Sequence, residues 1–215
     1  MSETALGGMS RHGFDEAHRQ AFAIASRKLL GADLAQLCRR SAAALRNENG
    51  RQSISLSYLG RECRVQLPDI IVSSASGEPL SPRDMLLILH YLVTADGSPL
   101  TGKPVTFREL PEGGIYYPTF VKRSVKPLLD RFADRPEALV ATAESIGGLK
   151  AETGDFSFRI LAFPRVPVTV TLWLGDEELP AEGNILFDSS VTGYLSTEDI
   201  TVLCEILAWK LSRSV

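Results

Sequence analysis

A chain of 215 residues, 44% of them apolar and 23% charged, can bury a substantial core and falls outside the disordered class. Its formal charge of −3 argues against a general nucleic-acid binder, whose phosphate contacts call for a basic excess. No apolar run reaches the roughly 20 residues that span a bilayer, and the opening "MSETALGGMSRHGFDEAHR" has no apolar signal core, so a cytoplasmic protein without membrane contact is expected.

Residues 1–13 show no periodicity and are expected to form a flexible tail ahead of one domain covering 14–215. From Phe14 to about Arg46, Phe22, Leu29, Leu30, Leu34, Leu37, Ala44 and Leu45 recur at helical spacing. Gly31 divides this stretch into a helical pair, with Asp33 placed to cap the second member. After "NENG" the period becomes two. Ile54, Leu56 and Tyr58, then Cys63, Val65 and Leu67, predict a hairpin bent at Gly60, with a short third strand over Ile70–Val72. Ser81 and Pro82 open an apolar helix that runs to about Thr94.

Beyond that helix, Val105–Arg108 reads as a strand, "PEGG" as a turn and Thr119 onward as a helix that Pro127 should kink. A helix begins at Pro136 and closes at a glycine pair. "FSFRILAFPRVPVTVTLWL" predicts two extended segments divided at Pro164–Pro167. The last helix starts at Ser196 or Thr197 and turns Ile200, Leu203, Leu207 and Leu211 inward. The sum is an α+β fold, with a mostly antiparallel sheet, packed helices and an N-terminal helical pair.

"DGSPLTGKP" (Asp96–Pro104) spells G-x-x-x-x-G-K at Gly97, Gly102 and Lys103. A phosphate-binding loop of that kind needs a strand before it, a helix after it and a hydroxyl at its last position. Here a helix precedes, a strand follows and Pro104 occupies the last position. The stretch is therefore read as a helix-to-strand connection, with Asp96 capping a turn and Lys103 in solvent.

The strings "YLVTADGSPLTGKPVTFRELPEGGIYYPTF" and "FPRVPVTVTLWLGDEELPAEGNILFDSSVTGYLSTED" resemble an uncharacterised family of prokaryotic domains of unknown function, found largely in anaerobic bacteria and archaea. The resemblance covers about Ser81 to Leu211 and implies no activity. Some relatives carry an extra N-terminal iron–sulfur domain with four cysteines. The three cysteines here, Cys38, Cys63 and Cys204, stand apart without a CxxC pair and fit a reducing compartment. Any electron transfer is therefore expected to belong to an iron–sulfur partner protein or to be absent. Small iron–sulfur domains of that sort accompany corrinoid proteins of one-carbon metabolism, which makes a corrinoid cofactor or corrinoid partner an alternative by association.

Three constellations could carry chemistry. Asp176, Glu177, Glu178 and Glu182 form an acidic stretch that reads as a solvated turn, while Asp96, Glu109, Asp176 and Asp188 could together serve a carboxylate- or metal-dependent enzyme. His90 sits in an apolar helix, as a core residue, an axial ligand or an acid–base group. Aromatics interleave with bases at Tyr116, Tyr117, Phe120, Lys122 and Arg123, and again at Phe163, Arg165 and Trp173. Such faces stack on flat ligands while the bases hold their anionic groups. The leading expectation is a binding protein for a small anionic or cofactor-like ligand, without autonomous catalysis. Its site would be lined by Lys103, Arg108, Tyr116, Tyr117, Arg123, Arg165 and His90.

Overall fold

The computed structural model describes residues 11–48 and 50–213, except for the side chains of 11–14. Most of the expected tail, and the His12 side chain, thus lie outside the described residues. Helix α1 (Arg11–Leu30) and helix α2 (Leu34–Ser41) form the expected pair. Asp33 caps α2 by accepting the Gln36 N–H at 3.0 Å.

The helical stripe does not continue to Arg46. Ala42 adopts a left-handed conformation (φ 52°) and Ala43 donates its N–H to the Cys38 carbonyl, which ends α2. Ala44 and Leu45 instead begin strand β1 (Ala44–Glu48), whose backbone pairs with β2 (Arg51–Tyr58). Strands β3 (Arg61–Gln66) and β4 (Ile71–Ser74) complete an antiparallel sheet ordered β1-β2-β3-β4. The β2–β3 turn lies at Leu59–Gly60, both with positive φ, as a two-residue hairpin requires.

Helix α3 (Pro82–Thr94) starts with a capping box, Ser81 and Asp84 each bonding the other's backbone. The connection leads to β5 (Pro104–Thr106) and a 3₁₀ turn at Phe107–Glu109. Helix α4 (Gly113–Phe120) begins six residues earlier than the expected Thr119. The reason is local: a Cβ on Gly113 would come within 1.9 Å of the Phe107 carbonyl, so a side chain there would block the tight entry. Pro118 and Pro127 both remove donors from this stretch, and the ladder shifts to a π turn over Val121–Val125 before α5 (Lys126–Phe132). Helix α6 (Pro136–Ser145) follows as expected.

A second antiparallel sheet contains β6 (Leu149–Lys150), β7 (Phe156–Phe163), β8 (Val166–Trp173) and β9 (Glu182–Asp188), in the order β5-β9-β8-β7-β6. The fold is α+β, but with two sheets where one was expected. Strand β9 was hidden by its own composition, since only Ile185, Leu186 and Phe187 are apolar and acids flank them. It nevertheless pairs with both β5 and β8. Helix α7 (Thr197–Arg213) buries Ile200, Leu203, Leu207 and Leu211, together with Cys204 and Ala208.

The sheets meet where Leu59 donates its N–H to the Ala162 carbonyl at 3.0 Å. Beside that bond the Phe163 ring lies 4.3 Å from Tyr91 of α3, nearly parallel, and 4.9 Å from Tyr58 of β2. Buried tyrosines need partners for their hydroxyls. Tyr58 donates to Asp84 at 2.7 Å, Tyr91 to the Ser41 carbonyl at 2.6 Å, and Tyr194 to the Ser98 carbonyl. One phenylalanine thus joins both sheets to α3. Phe163→Ala is expected to lower unfolding free energy by about 3–5 kcal/mol. Leu161→Ala, at a half-exposed site on the same strand, should change it by less than about 0.5 kcal/mol in the same denaturant titration.

Candidate functional site

The Asp96–Pro104 connection does cradle an anion, but the anion belongs to the chain itself. Gly102 donates its N–H to Asp188 Oδ2 at 2.7 Å, and Thr101 gives both its N–H and its hydroxyl to Oδ1 at 3.0 Å. Ser190 adds its N–H at 3.0 Å and its hydroxyl at 2.7 Å. Burial pushes the Asp188 pKa up, yet the bonds from Ser190, Thr101 and Gly102 outweigh it, and the carboxyl titrates well below its ordinary range. The backbone donors that a phosphate would need are occupied.

The other candidate carboxylates hold local structure as well. Asp96 accepts from the Ser98 N–H, Glu109 from the Thr106 N–H and hydroxyl, and Asp176 from the Glu178 and Leu179 N–H groups. Among the described residues, no group of three or more His, Cys, Asp or Glu is gathered so as to hold a metal ion.

The seven expected ligand contacts are distributed as follows. Arg108 places its guanidinium 3.9 Å above the Tyr117 ring, with Tyr116 exposed beside it on α4. Lys103 is exposed on the connection, and Arg123 is half-buried in the π turn. Arg165, in the β7–β8 turn, lies against the Tyr91 and Tyr194 hydroxyls, and its Nε has no hydrogen-bond partner among the described residues. His90 sets Nδ1 2.7 Å from Asp199 Oδ1, tying α3 to α7. None of the seven lines the cleft described next, nor the smaller hollow of about 200 Å³ between Gly102, Arg159 and Asp188.

That cleft, about 680 Å³ in volume, opens between the β2–β3 turn, the start of α3, the end of α6 and the last turns of α7. Gly60 sets how closely two of its walls approach: its φ is +76°, and a Cβ there would meet the Ile146 carbonyl at 2.0 Å. Four cationic side chains, Arg61, Arg83, Lys210 and Arg213, face three carboxylates, Glu78, Asp84 and Glu205. Arg61 pairs with Glu78 at 2.7 Å and Arg83 with Glu205 at 2.6 Å. Asp84 is buried and both its oxygens are engaged, since it accepts from Ser81 N–H and hydroxyl and from Tyr58.

Burial shifts the titratable groups in and behind this cleft in both directions. Burial pushes the Cys63 thiol up to about 11 and the Tyr58 phenol well above its ordinary value. Burial, with the Arg61 charge behind it, lowers the pKa of Lys210. The Arg61 Nε–H is enclosed and has no hydrogen-bond partner among the described residues. Trp209 stands 57% exposed on the α7 wall, with the Arg213 guanidinium 4.8 Å from its ring centroid. The cleft therefore offers donors and an aromatic surface.

Sequence reasoning missed these residues because four separate segments supply them. One signal was available: Glu205, Trp209 and Arg213 fall one turn apart on α7, opposite its buried stripe, and place an indole on a polar face.

The protein is thus an α+β chain with two antiparallel sheets and a charged cleft. Residues 33–210 match the family described as Domain of unknown function (DUF3786), and the chain belongs to it. No match is found among curated proteins or among solved structures. Among the described residues, no helix is long and apolar enough to cross a membrane.

The Asp188 cradle yields a pH prediction. A carboxyl whose folded pKa is depressed adds stability above its unfolded pKa of about 3.9, and that contribution fades as pH falls toward the folded value. Asp188→Asn should therefore cost about 2 kcal/mol at pH 7. The gap to the parent protein should narrow in urea titrations taken at progressively more acidic pH.

Proposed function

We propose that this is a cytoplasmic binding protein for a small anionic ligand, held in the cleft between the Gly60 turn and α7, without catalysis of its own. One observation carries the reading: Arg61, on the wall of a cleft whose cations outnumber its carboxylates, has an enclosed Nε–H with no acceptor among the described residues. An enclosed polar group without a partner costs free energy that an arriving acceptor would recover. The ion pairs Arg61–Glu78 and Arg83–Glu205 hold two guanidinium groups in place before any ligand arrives, which reduces the ordering needed on binding. The three buried free cysteines are consistent with a reducing compartment.

Inorganic pyrophosphate is the simplest probe. Calorimetric titration should show saturable binding that Arg61→Met weakens roughly tenfold or more. Arg108→Met, on the separate α4 face, should leave it unchanged. Because Lys210 titrates below the ordinary lysine value of about 10.4, a bound anion favours its ammonium form. Affinity should fall as pH rises through that lowered value, with proton uptake on binding, and Lys210→Met should flatten the profile. Pyrophosphate binding that is indifferent to Arg61→Met would remove the assignment.

A further inference from the structure

The volume of the cleft and the character of one wall say more about the ligand than its charge does. At about 680 Å³ the cleft has the size of sites that enclose organic molecules of tens of atoms. An inorganic anion on Arg61 would leave most of that space to water.

The α7 wall is a strip. Glu205, Ile206, Trp209, Lys210 and Arg213 recur at one-turn spacing along the cleft, while Leu203, Cys204, Leu207, Ala208 and Leu211 face the core. Trp209 is thus an indole that the core does not need. It is placed beside guanidinium groups in a concave site. A tryptophan gives a broad rigid surface with few torsions to freeze, and flat rings stack on it. Arg213 already uses the electron-rich ring, at 4.8 Å, and a guanidinium plane is itself a stacking partner. The neighbouring Arg83–Glu205 pair, at 2.6 Å, ties this strip to α3.

We infer that the ligand is a planar aromatic molecule carrying one phosphate or carboxylate, its ring on the Trp209 indole and its anionic group at Arg61. This inference rests on the anion-binding reading and goes beyond it in naming the body of the ligand. A phosphate ester and an aromatic carboxylate share the chemistry, and the test separates them.

The chain has two tryptophans, Trp173 and Trp209, so Trp173→Phe leaves Trp209 as the sole indole reporter. Four probes are titrated by calorimetry and by fluorescence in that background: inorganic phosphate, adenosine, AMP and 1-naphthoate. AMP, 1-naphthoate or both are expected to bind roughly tenfold or more tightly than phosphate and adenosine, and to change Trp209 emission saturably. A gain confined to AMP assigns a phosphate ester, and a gain confined to 1-naphthoate assigns a carboxylate. Trp209→Leu, at an exposed position whose loss should leave the fold intact, is expected to bring the ring-bearing probes down to the affinity of phosphate. The same variant should leave phosphate itself unmoved.

If phosphate binds as tightly as AMP and 1-naphthoate, or if Trp209→Leu leaves those two unchanged, the inference is overturned. The anion reading then survives only where Arg61→Met still weakens phosphate. If Trp209→Leu abolishes binding of the ring-bearing probes while Arg61→Met affects none of the anions, the anion reading fails instead.

Discussion

A carboxylate buried where Asp84 lies is tolerable only if both its oxygens are hydrogen-bonded and opposite charge is near. Asp84 meets that condition by accepting from Ser81, which fixes the first turn of α3, and from the Tyr58 hydroxyl, which fixes the end of β2. Tyr58 in turn packs on Phe163 and so connects the first sheet to the second. The counter-charge comes from Arg61 and Lys210, whose fields act on the same group of residues around Cys63 and Tyr58. The interaction that closes the core at this corner is thus also what collects cations on the wall of the cleft.

Elsewhere the acids are spent on backbone donors. Asp33 caps α2, Glu109 caps the 3₁₀ turn, Asp176 and Asp96 close turns, and Asp188 gathers five donors from two loops. An overall charge of −3 therefore says little about what the surface offers a ligand, because many of these carboxylates point at N–H groups of their own chain. The cleft runs against the balance of the molecule. Its cations exceed its carboxylates, and one guanidinium N–H on its wall is enclosed without an acceptor among the described residues.

What the sequence made legible was local. Ser81, Pro82 and Asp33 announce helix starts within three residues of themselves, and the alternation around Gly60 announces a hairpin whose strands touch. Non-local pairing was not legible. Ala44 and Leu45 suit a helical stripe and become a strand only because β2 takes their backbone. Strand β9 is weakly apolar and exists because β5 and β8 stand ready on either side of it. The same limit hid the cleft, where Arg83 and Glu205 are 122 residues apart in sequence and 2.6 Å apart in space. Tyr116 and Tyr117 stand out in the sequence as aromatics interleaved with bases, and one such base, Arg108, lies over the Tyr117 ring. Only Arg165, among the residues expected to bind, also carries an enclosed Nε without a partner, and it faces the Tyr91–Tyr194 side of the core.

That pair of arginines provides the most direct measurement. The Nε–H resonances of Arg61 and Arg165 can be followed in a two-dimensional nitrogen–proton spectrum as pyrophosphate is added. An acceptor arriving in the cleft should move the Arg61 signal downfield, saturably, while Arg165 stays where it is. An Arg61 resonance that holds still through saturation, with other arginines shifting in its place, would contradict the account.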